Sequence, residues 1–353
     1  MSPNQVQHHD ADAVVDAVRA MLAAGDRAGA QARLGILIDH AAGERLQGRV
    51  DAAKSILQVI VVAFPGHPGA AHDLGVLHAE LGDDAEALPL FRRALQNAPG
   101  QRQIIRNLSQ VLIRRGDLDE AWNLAQEVLQ RSPGDSFGLS LAQVIAVERG
   151  AGTEANPLIE YSRLVRTSRP APASGYPDMK RFNEALVLEV MQSDGLRHDP
   201  NDRTTRAGRQ SGALFPAKRG ALHALQSLIT NAVSDYSKAL GPEPGHPFLA
   251  QQPSRVGLHG WATVLDHGGY QEPHLHPSGW LSGVYYPQLP GVTTDVDGSR
   301  AGWLVFGEPN STFHAKAEHL THWIAPWEGM LVLFPSYMHH RTEPFMGSAG
   351  RLP

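Results

Sequence analysis

Two histidines one residue apart, His274 and His276, stand ahead of the aromatic, β-prone run Trp280 to Tyr286, within GGYQEPHLHPSGWLSGVYYP. Along an extended strand residues i and i+2 face the same side, so this spacing turns both imidazoles toward one cavity. A second strand-like run, Met330 to Phe334, ends beside His339 and His340. Two histidines from one segment and a third from a distant one are the makings of a mononuclear metal site. The chain has no cysteine, which removes disulfides, thiolate nucleophiles and cysteine-based metal sites. Any metal must therefore rest on histidine and carboxylate.

The elements that would position these residues differ between the two ends of the chain. Nine of the eighteen histidines and five of the six tryptophans follow Leu258. From Val256 onward short aromatic or β-branched runs (WATVL, GWLSGVYY, AGWLVFG, THWIAP, GMLVLFP) alternate with glycine and proline turns, which predicts a β-sandwich or barrel. Ahead of them, Met179–Gln192 and Arg219–Leu240 read as amphipathic helices flanking the sheet, with a polar loop over Asn201–Pro216. Gly269–Pro273 reads as a turn leading into the metal strand.

The first half is rich in Ala, Leu, Gln and Arg at helical spacing, and it repeats. Leu74, Gly75, Gly82, Ala87, Phe91, Ala94 and Pro99 recur 34 residues later as Leu108, Ser109, Gly116, Ala121, Ala125, Val128 and Pro133. One interval earlier stand Ala41, Gly48, Ala53, Leu57, Ile60 and Pro65. This period, with small residues where paired helices cross, resembles the tetratricopeptide repeat and implies an α-solenoid over residues 10–165 that holds a protein or peptide. Residues 166–178, with their prolines, glycine and serines, read as a linker to a second domain over 179–353.

A net charge of -5, from 31 Lys and Arg against 36 Asp and Glu, gives no general reason to expect nucleic acid as a partner. No apolar run approaches membrane-span length, and residues 1–15 lack the basic start and apolar core of a secretory signal, so the expected compartment is the cytoplasm. A Ser-His-Asp arrangement at motif spacing, a P-loop and a Rossmann glycine fingerprint are all absent from the sequence.

The string HLHPSGWLSGVYY, the later AGWLVFG, then LVLFPSYMHHRTEPF and the trailing Gly350-Arg351 resemble a family of 2-oxoglutarate and iron(II)-dependent oxygenases often found behind tetratricopeptide repeats. Upstream, Tyr176–Asp178, GRQSGALF and Gly245–Leu249 extend the resemblance to about residues 175–353. It implies a double-stranded β-helix, or jelly roll, with iron(II) at its open end and 2-oxoglutarate as co-substrate. His274 would be the first metal ligand and His340 the distal one, with the adjacent His339 as the alternative. Only one of two neighbours on a strand reaches a given side.

Where the oxygenase pattern places a carboxylate, this chain has His276. Either the site uses three histidines, His274, His276 and His340, or His276 is the first ligand, Ser278 takes a non-ligating position and water completes the shell. Asp266 and Glu272 lie nearby without the required spacing. Arg351, eleven residues after His340, falls where the family's co-substrate arginine stands, and a guanidinium grips a carboxylate with two parallel hydrogen bonds. The family continues past this arginine with a further strand, which implies a truncated chain.

Ser282 and Tyr285 are the other expected co-substrate contacts. Trp280, Tyr285 and Tyr286 also read as core, and His259, His314, His319 and His322 as surface or core. Three histidines equally suit zinc, so a zinc-dependent, non-oxidative cupin-like enzyme stays open beside the oxygenase, as does a catalytically inactive scaffold.

Overall fold

The computed structural model describes residues 3–150, 156–193, 195–198, 204–289 and 300–345. The chain divides into two compact units, Met1–Leu124 and Ala125–Pro353. The first holds helices α1 (Pro3–Ala23), α2 (Arg27–Leu46), α3 (Val50–Ala63), α4 (Pro68–Glu80), α5 (Asp84–Asn97) and α6 (Arg102–Arg115), while α7 (Leu118–Arg131) crosses the boundary. Its core joins Leu34, Leu37, Ile56, Ile60, Leu74 and Leu77.

The 34-residue period has a backbone cause. Gly48, Gly82, Gly116 and Gly150 follow α2, α4, α6 and α8 (Ser136–Glu148) with φ of 75°, 82°, 88° and 80°. That left-handed conformation ends a helix and penalises any Cβ. Gly75 answers a different need, because a Cβ there would lie 2.9 Å from the buried Phe91 ring where α4 crosses α5.

Among its described residues the second unit adds α9 (Tyr161–Leu164), α10 (Met179–Met191) and α11 (Gly220–Leu240) to nine strands. These are β1 (Arg166–Ser168), β2 (Arg197–His198), β3 (Thr205–Gln210), β4 (Thr263–Gln271), β5 (Leu281–Tyr285), β6 (Leu304–Phe306), β7 (His322–Ile324), β8 (Leu331–Pro335) and β9 (His340–Thr342). They pair as three small antiparallel sheets, in the orders β1-β8-β5, β2-β3-β4 and β7-β6-β9, where the sequence leads one to expect a jelly roll. Phe182 and Leu186 of α10 and Ala221 and Leu225 of α11 form an apolar cluster against which Tyr285 packs.

Three local expectations change. The expected linker begins as a strand, since Arg166–Ser168 pairs with Leu331–Leu333 and so covers an edge of β8. Part of the expected polar loop is β3, paired with both β2 and β4. The expected turn at Gly269–Pro273 starts inside β4, which runs to Gln271.

The division into compact units leaves α8 in the second. Every residue of α8 from Ser136 to Ile145 is buried, whereas an end helix of a solenoid exposes one side. Its partners lie in the second unit: Glu148 accepts hydrogen bonds from the backbone of Lys316 and Ala317 and pairs with His319 at 3.1 Å. Burial raises the Glu148 pKa and these donors outweigh it, so the carboxyl sits below its ordinary value. A fragment begun at residue 125 should therefore unfold cooperatively, and one begun at residue 166 should not. Thermal melts followed by near-ultraviolet circular dichroism check this, and a sharp melt from the shorter fragment would refute it.

Candidate metal centre

The site starts from the backbone. His274 and His340 form an isolated antiparallel bridge, with His274 N–H donating to the His340 carbonyl at 3.0 Å and His340 N–H donating back at 2.9 Å. Directly opposed residues project to the same face, so this reciprocal pair sets the two imidazoles side by side. His276 follows in a turn, its N–H donating to Ser336 O at 3.2 Å and its carbonyl accepting from Gly279 N–H at 3.1 Å. The two-residue spacing thus works through a bridge and a turn, because β4 ends at Gln271 and the H-x-H pair lies beyond it.

The three rings converge. Centroids lie 4.2 Å apart for His274 and His340, 5.0 Å for His276 and His340, and 5.1 Å for His274 and His276. One ring nitrogen from each falls within 4.8 Å of the others. Nδ1 of His274 lies 2.7 Å from the Glu272 carbonyl, and Nδ1 of His340 lies 3.0 Å from that of Met338. A carbonyl oxygen only accepts, so both Nδ1 atoms carry the proton and both Nε2 atoms present a lone pair. Such tautomer-fixing bonds are the usual outer support of metal-binding histidines.

Burial differs across the cluster and opens it on one side. His340 is buried, packed by Phe334 at 4.7 Å and Phe306 at 6.1 Å, whereas His274 and His276 are partly exposed and Trp261 lies 5.3 Å from His276. All three pKa values are pushed down, first by burial. For His276 the neighbouring His274 adds to this, to about 4. For His274 the Glu272 carbonyl opposes it, and His340 ends well below the ordinary histidine value. At neutral pH the cluster is a set of uncharged donors, the form that binds metal.

No carboxylate joins it among the described residues. The Glu272 carboxylate is taken by Arg206 at 2.9 Å, and Asp266 lies 3.5 Å from His198. His339, next to the cluster in sequence, is buried on the other side, sharing a 3.3 Å hydrogen bond with Ser140 of α8.

The expected co-substrate contacts separate. Ser282 opposes Phe334 across β5 and β8, so it shares the face that packs on His340, and its Oγ lies 2.7 Å from Ser336 Oγ. Tyr285, three residues on, faces the opposite way: its hydroxyl donates to Asn183 Oδ1 at 2.6 Å on α10 and its ring packs by Phe182. Strand alternation thus takes Tyr285 away from the cluster. Tyr286 takes the Ser282 side instead, its N–H extending the ladder to Met330 O at 3.0 Å and its hydroxyl buried without a hydrogen-bond partner among the described residues. Only the parity of the strand, available once β5 is paired with β8, separates the two tyrosines. Arg351 and the trailing Gly350 lie outside the described residues.

Three other histidines have structural partners. His319 pairs with Glu148, His322 stacks on Tyr161 at 6.1 Å, and His246 accepts at Nδ1 from the N–H groups of Phe248 and Leu249 while its Nε2 lies 3.1 Å from Pro157 O. Trp280 stacks on Phe248 at 4.7 Å.

Among the described residues no helix is long and apolar enough to cross a membrane. No curated protein matches the chain. Similar solved structures include an O-GlcNAc transferase mutant of Thermobaculum terrenum, 26% identical over 35% of this chain and 23% of its own, with a TM-score of 0.30. YrrB, titled a TPR protein with an unusual peptide-binding site, is 16% identical over 41% of this chain and 80% of its own, at 0.32. Pseudomonas aeruginosa pilF is 19% identical over 36% and 59%, at 0.32. Two family models described as "Tetratricopeptide repeat" match residues 44–102 and 80–142, and one described as "Putative 2OG-Fe(II) oxygenase" matches residues 259–353, the segment that contains the histidine cluster. The chain thus joins tetratricopeptide repeats to a 2OG-Fe(II) oxygenase-type segment.

Proposed function

We propose that the second unit is an iron(II) and 2-oxoglutarate-dependent oxygenase, that His274, His276 and His340 hold the metal, and that the repeats bring it a protein or peptide to hydroxylate. The observation that carries this reading is the convergence of three neutral imidazoles, two with their tautomer fixed by backbone carbonyls, inside the oxygenase-type segment. Bound iron(II), with the 2-oxo acid and oxygen, would supply the oxidising chemistry. The chain would supply ligands, orientation and a dry inner wall. Phe306 and Phe334 exclude water behind His340, and the partly exposed His274 and His276 leave the approach open.

In this reading the buried Tyr286 hydroxyl, which has no hydrogen-bond partner among the described residues, donates to the co-substrate's carboxylate, since a buried O–H without an acceptor is costly and an anionic acceptor relieves it. Burial pushes its pKa above the ordinary tyrosine value, so it stays a donor at neutral pH. In this reading Ser282 lines the same face, Arg351 is the second clamp on the co-substrate, and the three sheets are parts of a double-stranded β-helix in a cytoplasmic protein. A second reading, a zinc hydrolytic centre, draws on the absence of a carboxylate from the donor set among the described residues.

The two readings part in one experiment. Protein purified without oxygen and loaded with iron(II) should release succinate from 2-oxoglutarate, and His340→Ala should abolish this. Succinate-free behaviour of the loaded wild type, with tight retention of zinc, would favour the hydrolytic centre. Tyr286→Phe should raise the KM for 2-oxoglutarate about 10- to 100-fold, as loss of a hydrogen bond to a charged group does. Tyr285→Phe should leave it near the wild-type value.

The pH dependence of stability has a definite sign. In the unfolded chain His276 takes up a proton near its ordinary value of 6.5, and in the folded chain only near about 4. The unfolded state therefore binds more protons between these values, and stability falls as pH is lowered through that window. Metal-free wild type should lose melting temperature between about pH 6.5 and 4, and His276→Gln should flatten part of that slope. Melts at several pH values check it, and an equal slope in both proteins would contradict the buried neutral imidazole.

A further inference from the structure

Helix α8 belongs to the repeats by sequence phase, as the Gly116 to Gly150 interval shows, and to the metal-bearing unit by packing. One repeat earlier, the positions equivalent to Ser136 and Ser140 are Arg102 and Arg106, both exposed on α6. On α8 they are serines that are 3% and 1% exposed. A face that is solvated in one repeat has become an internal face in the next.

What that face touches is specific. Ser136 Oγ donates to the Gly279 carbonyl at 2.6 Å, and Gly279 N–H closes the turn on the His276 carbonyl at 3.1 Å. One helical turn along, Ser140 Oγ shares its 3.3 Å hydrogen bond with Nδ1 of His339, the residue bonded directly to His340. The His339 ring is held edge-on by Phe313 at 5.8 Å, and its carbonyl accepts from Gly307 N–H at 3.1 Å. Two hydroxyls on one helix face thus hold the two separate segments that carry His276 and His340. Neither serine lies in the oxygenase-type segment, which begins at residue 259.

We propose that Ser136 and Ser140 are positioning residues of the metal centre: α8, a repeat helix, sets the separation of the His276 and His340 imidazoles and thereby the affinity and geometry of the bound metal. This rests on the reading of the three histidines as metal ligands. Supports that orient ligating histidines typically account for about 10- to 100-fold in metal affinity. Ser136 acts on a turn whose tightness has its own requirement, since a Cβ on Gly279 would lie 2.7 Å from Ser336 Oγ.

The test titrates the full-length, metal-free protein with cobalt(II), recording both the dissociation constant and the visible absorption of the bound ion. Wild type is compared with Ser136→Ala, Ser140→Ala, the double variant, Ser140→Thr and His340→Ala. The expected result is that each alanine variant binds cobalt more weakly, the double variant by about 10- to 100-fold, with an altered spectrum, and that Ser140→Thr, which keeps the hydroxyl, recovers most of the affinity. Should wild type and His340→Ala bind cobalt equally, the histidine reading itself fails and the proposal with it. If wild type binds through His340 but the alanine variants match it in affinity and spectrum, the positioning role is overturned and the metal centre stands. Lowered melting temperatures with unchanged cobalt binding also overturn it, by reducing the serines to packing. The two single serine-to-alanine variants each remove one oxygen atom, so they carry the test even if the double variant does not fold.

Discussion

The second unit depends on the reciprocal backbone pair between His274 and His340. Two hydrogen bonds exchanged between the same two residues leave little freedom in the relative placement of their side chains. The bridge also ties the end of the β2-β3-β4 sheet to the β7-β6-β9 sheet, because His274 follows β4 and His340 opens β9. Further links lie along the same seam, with Gln271 N–H donating to Thr342 Oγ1 at 2.8 Å. A contact that joins two sheets cannot slip without unpairing both. The histidine cluster therefore sits on a seam pinned from both sheets, as a preorganised site requires.

Strand parity does the sorting around that anchor. Ser282 and Tyr286 share one face of the β5 segment and Tyr285 takes the other, so two adjacent tyrosines have unrelated surroundings. Tyr285 finds Asn183 and the apolar cluster of α10 and α11, while Tyr286 buries a hydroxyl that nothing among the described residues satisfies. Gly283, between them in the strand, lets β8 approach closely: a Cβ there would lie 2.9 Å from Val332 O. A small residue sets the spacing of the two strands, and parity then decides which side chains share the Phe334 face.

The repeats were legible because their constraint is local and recurs: a glycine at positive φ is needed every 34 residues wherever a first helix ends. The convergence of His274 and His276 was legible in spacing, although the extended strand assumed for it is a bridge and a turn. Other features were hidden for a common physical reason. The burial of α8, the pairing of Arg166–Ser168 with β8 and the turning of Tyr285 toward α10 all depend on partners more than thirty residues away in sequence. Local pattern showed α8 as one more repeat helix and 166–168 as loop, and only tertiary pairing overrides that. Among the described residues the carboxylate question posed by sequence has its answer in side-chain partners, since Arg206 engages Glu272 and Asp266 lies beside His198.

That answer has an electrostatic consequence for what the cluster would bind. A divalent ion held by two imidazoles and a carboxylate keeps one net positive charge, whereas three neutral imidazoles leave it with two. Close to the buried wall of Phe306 and Phe334 the uncompensated charge is poorly solvated, and attraction to an anion is stronger than in water. The pKa depression of all three histidines has the same origin, the cost of placing positive charge in this environment. A neutral donor set therefore shifts the task of balancing the metal from the protein to its ligand. On the proposed reading it would favour anionic partners over neutral ones, and a 2-oxo acid, with a carboxylate beside its ketone oxygen, would meet that requirement as a chelate.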